Sequence, residues 1–99
     1  MFFITCFSEI SLNKLGYPDI GNTRTVGFVE TLEEAGQLLM DNVYDLWETI
    51  YQYAVIEEIH PGIYPIPEDR CFFRFDTDTK RYIPIEEPDV LKSVALFAF

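Results

Sequence analysis

An α+β fold is predicted for this chain: a mostly antiparallel sheet with one main helix packed on a face and a short helix near the C-terminus. Three observations lead there. Short β-branched and aromatic runs recur along the sequence with turn residues between them. A single stretch, opened by a capping signature, carries apolar residues at helical spacing. Two apolar runs flank the polar segment Asp76 to Lys80, the composition of a β-hairpin.

Phe2 to Phe7 is almost unbroken apolar sequence containing Ile and Thr, which suits a strand covered on both faces better than a helix of under two turns. Ser11 to Asn22 (SLNKLGYPDIGN) gathers Asn, Gly, Pro and Asp and reads as a long loop. Thr23 to Glu30 is a second strand, with Gly27 marking a bulge or a close backbone approach. Directly after it, Thr31-Leu-Glu-Glu34 is a capping box: the threonine hydroxyl accepts from the amide three residues on, and the glutamate reaches back. Leu32, Ala35, Leu39 and Val43 then recur on one helical face, with Glu33, Glu34, Gln37 and Asp41 opposite. Asp41-Asn42 is a possible stop, yet Val43, Leu46, Trp47 and Ile50 could carry the helix to residue 50.

Tyr51 to Ile59 is strand-like, and His60-Pro61-Gly62 ends it, because proline lacks an amide donor and drives its predecessor to extended geometry. Residues 63–69 form a stiff connection. Pro84 places the second strand of the 70–85 hairpin at a sheet edge. The run Glu86-Glu87-Pro88-Asp89 precedes Val90, Leu91 and Val94 as a helix N-terminus would.

Ninety-nine residues, 48% apolar, match one domain, since a chain of this size has volume for a single core. No run of about 18 apolar residues is present, and the opening residues lack the basic flank of a signal peptide, so a cytoplasmic protein is expected. Cys6 and Cys71 lie in apolar runs with no Cys-x-x-Cys and no histidine nearby, which predicts free, buried thiols rather than a metal set, with one disulfide as the alternative. No cofactor motif is present: neither a Gly-x-Gly-x-x-Gly nor a P-loop occurs.

The net charge of −10 is uneven. Residues 1–69 hold two basic and twelve acidic side chains, whereas residues 70–99 hold five of each. Such a field repels phosphate backbones and attracts basic protein surfaces; it also keeps an aromatic-rich domain soluble.

His60 beside Glu57 and Glu58 is the cluster closest to a catalytic one. Strand alternation sends the two carboxylates to opposite faces, and no nucleophile motif completes a triad, so a surface histidine is expected. Asp76-x-Asp78 opens like a calcium loop, but Lys80 stands at a ligand position and Arg81 where the bend needs glycine. A turn is expected there too. Of the aromatic group Tyr44, Trp47, Tyr51 and Tyr53, most belong to the core, with Trp47, flanked by Asp45 and Glu48, the best contact residue.

The segments RTVGFVETLEEA, YAVIEEIHPGIYP and FFRFDTDTKRYIPIEEP, spread from Arg24 to Pro88, resemble a family of short acidic proteins from gut Firmicutes and their phages or mobile elements. The likeness is one of pattern and order. It implies the domain boundary and a bacterial or phage origin, and it assigns no activity and no site residue.

The leading functional expectation is a non-catalytic binding protein, an inhibitor of the DNA-mimic or anti-CRISPR kind, that occupies a basic, nucleic-acid-handling protein surface. Glu33, Glu34, Asp41, Asp45 and Glu48 would supply its row of carboxylates, with Trp47 as an apolar contact. The alternative is a small-molecule binder that closes the 11–22 loop over the sheet, using Tyr17 and Arg24. A small enzyme around His60 comes third.

Overall fold

The computed structural model describes residues 1–42, 51–60 and 69–98. The element order is β1 (Phe2–Phe7), β2 (Ser11–Leu12), β3 (Pro18–Asp19), β4 (Thr23–Val29), α1 (Leu32–Met40), β5 (Tyr53–Glu58), β6 (Arg70–Asp76) and β7 (Arg81–Ile85), followed by a 3-10 turn at Asp89–Leu91. Five strands form one antiparallel sheet in the order β4-β1-β5-β6-β7. Among the described residues no helix is long and apolar enough to cross a membrane.

Alternation along the strands sorts the core into two layers. On one face Ile4, Cys6, Ala54, Ile56, Phe73, Phe75 and Tyr82 pack with Ala35 and Leu39 of α1. On the other, Phe7, Val55 and Phe72 pack with Leu91 and Phe97 of the C-terminal segment. β1 and β5 are therefore covered on both sides, as the unbroken apolar run of β1 predicted. Tyr51 is buried, and Tyr53 stacks on Phe7 with ring centroids 5.3 Å apart; both are core residues. Tyr44 and Trp47 lie outside the described residues.

The helix begins where its sequence says it should. Thr31 is extended, and its hydroxyl accepts the Glu34 amide at 3.2 Å. It ends at Met40: Asp41 is the C-cap and Asn42 takes the left-handed conformation at φ 49°. The Asn42 amide side chain then donates to the Lys80 carbonyl at 3.1 Å, which ties the helix end to the β6–β7 turn. The expected continuation through residues 43–50 lies outside the described residues.

The Gly27 expectation resolves as a bulge. Ile4 pairs with Gly27 but Thr5 with Thr25, so Val26 is the extra residue in β4. Pro84 sits on β7, an edge strand. Cys6 and Cys71 are both free thiols. They face the same layer, but Cys6 pairs with Ala54 while Cys71 pairs with Ile56 across the other side of β5. A whole strand separates them, beyond the roughly 7 Å that a disulfide spans between Cα atoms.

One sequence expectation needs correction. Ser11 to Asn22 is not a plain loop, since β2 and β3 form a two-rung antiparallel ladder, Ser11 with Asp19 and Leu12 with Pro18. The short C-terminal helix is present as a single 3-10 turn, Asp89–Leu91. Two side chains hold the residues that follow it: Arg70 Nη1 donates to the Val94 carbonyl at 2.6 Å, and the Glu57 carboxylate accepts the Ala98 amide at 2.8 Å. These two residues face each other across β5 and β6, so the sheet holds the chain after the turn as a strap.

Candidate functional site

The acidic face starts at the junction of β4 and α1. Glu30 follows the last residue of β4, and Glu33 and Glu34 occupy the first helical turn; all three are exposed. Carboxylates are favoured at a helix N-terminus because the unpaired amides and the helix dipole present positive potential there. Among the described residues none of the three forms an ion pair. Glu30 was not singled out from the sequence; its position beside the capping threonine was the available signal.

Asp41, the third expected member of the row, is placed differently. It lies seven residues beyond Glu34, about 10 Å along the axis on the same stripe. Its carboxylate accepts from Gln37 Nε2 at 2.6 Å and lies 3.9 Å from Arg81. It is thus partly neutralised within the molecule. Asp45, Trp47 and Glu48 fall outside the described residues.

Three of the five cations of the C-terminal third sit in ion pairs. Arg70 meets Glu87 at 3.4 Å, Lys92 meets Asp89 at 3.0 Å, and Arg81 meets Asp41. Asp89 and its neighbours Glu87 and Glu86 hold Lys92 more firmly protonated than usual, the Asp89 hydrogen bond being the largest cause. Of these three pairs only Arg81–Asp41 reaches back to the acidic residues 1–69, and Glu30, Glu33 and Glu34 take no part in any of them.

The expected small-molecule pair is not assembled by any described contact. Tyr17 is exposed at the tip of the β2–β3 hairpin, and Arg24 is exposed in β4 opposite Cys6. At the base of that hairpin Ile10 and Ile20 pack into the second core layer.

Around His60 the two carboxylates separate as alternation requires. Glu57 is fully buried, while Glu58 is half-buried on the other face. Both Glu57 oxygens accept the Phe97 amide, at 3.1 and 3.0 Å, and Oε1 also accepts that of Ala98. Burial pushes its pKa up, opposed by these backbone bonds and by Arg70. The Arg70 guanidinium also covers the rings of Phe72 and Phe97, at 5.9 and 5.5 Å. Glu57 is therefore committed to the strap. The sequence signal was present, since Glu57 is in phase with the core residue Val55.

Asp76 and Asp78 form a turn. Asp76 accepts the Asp78 amide and the Thr79 hydroxyl, and Lys80 adopts φ 58°. No group of three His, Cys, Asp or Glu side chains suited to a metal ion occurs among the described residues.

Comparison with protein-family models, curated proteins and solved structures yields no match.

Proposed function

We propose that the protein is a non-catalytic inhibitor whose acidic face docks on a basic protein surface, one that would otherwise hold nucleic acid. The observation that carries this reading is the exposed carboxylate group Glu30, Glu33 and Glu34, left unpaired among the described residues while Arg70, Arg81 and Lys92 pair with other acids. Unpaired carboxylates on a rigid element act on a partner as phosphates do, and their field accelerates encounter with a basic surface. The size of the domain and its charge of −10 fit a DNA-mimic or anti-CRISPR type of action. Small-molecule capture by Tyr17 and Arg24 has less support, because Ile10 and Ile20 already pack beneath the hairpin where a ligand would lie.

The test is co-purification with tagged protein from a bacterial lysate, followed by a salt series and competition with duplex DNA. The captured protein is expected to bind nucleic acid, to release the inhibitor steeply as salt rises, and to exchange it for DNA. Neutralising Glu30, Glu33 and Glu34 to Gln should lower the association rate more than it raises dissociation. A partner that keeps its hold at high salt, or binds DNA and inhibitor together, refutes the proposal.

A further inference from the structure

The end of β4 places an aromatic ring and a carboxylate side by side. Phe28 is 60% exposed although it stands inside a strand. Because β4 is the edge of the sheet, the ring has a strand neighbour on one side only. That neighbour is Phe3 of β1, its ring 5.4 Å away and tilted by 34°. Alternation fixes where the side chain points. Val29 packs against the first core layer, so Phe28 turns to the opposite face. Glu30 is in phase with Phe28 and about 7 Å further along the chain, at the bend that leads into α1. Phe28 and Glu30 thus share one side of the β4 edge, and chain connection alone makes the ring part of the acidic corner. Arg24, the cation within β4, lies towards the other end of the strand and pairs with Cys6 of the first layer, so it faces away from both.

The molecule itself shows what such a grouping receives. Arg70 lays its guanidinium over the rings of Phe72 and Phe97, at 5.9 and 5.5 Å, while its Nη2 meets the Glu87 carboxylate at 3.4 Å. Rings and carboxylate serve one cation from two directions, the rings attracting its flat face and the acid its N–H edge. Phe28 and Glu30 present the same two groups to solvent.

We infer that Phe28 and Glu30 form a seat for an arginine side chain of the partner protein, the guanidinium stacking on the Phe28 ring and pairing with the Glu30 carboxylate. This rests on the proposed docking to a basic surface and names the group received at this corner. The chemistry of the pair selects the occupant. An apolar group laid on Phe28 would desolvate the neighbouring carboxylate without pairing it, which is costly. A lysine ammonium would pair with Glu30, but it is a compact, strongly hydrated charge that stacks poorly. The planar, weakly hydrated guanidinium satisfies ring and acid together. A surface that holds nucleic acid supplies such arginines, since the same planar fork pairs with phosphate.

The experiment uses the full chain and two short capped peptides of equal length and charge, glycine alternating with arginine in one and with lysine in the other. The wild-type protein is expected to bind the arginine peptide more tightly. Guanidinium groups also fork onto other exposed carboxylates, so the decisive quantity is how this preference changes on substitution at residue 28. Phe28→Leu keeps an apolar side chain and removes the π face. It should lower the arginine-to-lysine affinity ratio about two- to fivefold and leave lysine binding as it was. Phe28→Tyr should keep the ratio, and Glu33→Gln with Glu34→Gln should weaken both peptides and keep it too. Circular dichroism checks that the variants fold. A second readout needs no variant: the ring proton resonances of Phe28 in the wild-type protein should shift as the arginine peptide saturates it. A ring unmoved at saturation, or a ratio unchanged by Phe28→Leu, overturns the arginine seat and leaves the acidic reading intact. Equal losses of both peptides in Phe28→Leu mark a plain apolar contact and overturn the seat as well. If the wild-type protein binds neither peptide, the acidic reading fails and the seat with it.

Discussion

Replacing Glu57 with alanine should release the C-terminal strap while the sheet survives. Its carboxylate is the acceptor for two amides, those of Phe97 and Ala98, each fully within the fold. A buried amide left without an acceptor costs about 1 to 3 kcal/mol, so the pair amounts to roughly 2 to 6. Removing a buried carboxylate also removes its desolvation cost, and the strap can swing out to hydrate its amides. Both effects offset the loss, leaving about 2 to 4 kcal/mol of destabilisation. For a domain of this length that lowers the melting midpoint by roughly 10 to 25 °C. Hydrogen exchange at Phe97 and Ala98 should rise most. The pH dependence has a definite sign. Burial raises the folded-state pKa of Glu57 above its ordinary value, against the Phe97 and Ala98 amides and Arg70; Glu87 faces the same guanidinium. Between the ordinary and the raised value the folded state holds a proton that the unfolded state has lost, so stability from this group falls as pH rises. Wild-type stability measured against Glu57→Gln should therefore grow on acidification from neutral towards the ordinary carboxylate range. Glu57→Gln also turns an amide nitrogen towards the Phe97 N–H, so it should retain only part of the strap's protection. An alanine variant with an unchanged midpoint and unchanged exchange at Phe97 and Ala98 would refute the role.

Thr31→Ala removes the acceptor for the Glu34 amide and should cost about 0.5 to 2 kcal/mol, read from chemical denaturation. Gly21→Ala should destabilise by more than about 1 kcal/mol: Gly21 sits at φ 70°, and a methyl group there would collide with the Ser8 hydroxyl and the Glu9 side chain. Denaturation shows the loss, and exchange at Ser8 and Asn22 shows the opened hairpin base.

The main sheet could be read from the chain because each strand alternates in phase with two core layers, and Gly27 within β4 disclosed the bulge. The helix start was equally plain, since Thr31 and Glu34 form a local contact that needs no tertiary partner. The 11–22 hairpin was not readable. Its ladder has only two rungs, one of them ending on Pro18, and its geometry comes from the Asn13 side chain and two left-handed glycines rather than from periodicity. The strap was hidden for another reason. The bonds that hold it come from Glu57 and Arg70, which lie forty residues before Phe97 and twenty-four before Val94 respectively. As for the site, Glu33 and Glu34 were legible as helix-start acids, but the pairing of Asp41 with Arg81 depends on where the β6–β7 turn docks. The exposure of Phe28 has no signature in composition at all.

Acidity near a helix start has two physical uses, and they separate by magnitude. Glu33 and Glu34 lie where carboxylates complement the helix dipole, which is worth about 0.3 to 1 kcal/mol each at low salt. Neutralising them should therefore cost stability of that order even if no partner exists. A protein that needed these carboxylates only for capping would gain nothing from leaving Glu30 uncompensated beside them, because repulsion among the three opposes part of the dipole gain. Their mutual repulsion is a cost to the fold, small and screened beyond about 8 Å at physiological salt. It becomes a gain once a cationic surface lies against them. Binding energy lost by the Glu30, Glu33 and Glu34 variant should accordingly exceed its stability loss and shrink with salt, whereas a purely structural role leaves binding untouched at temperatures where the variant is folded.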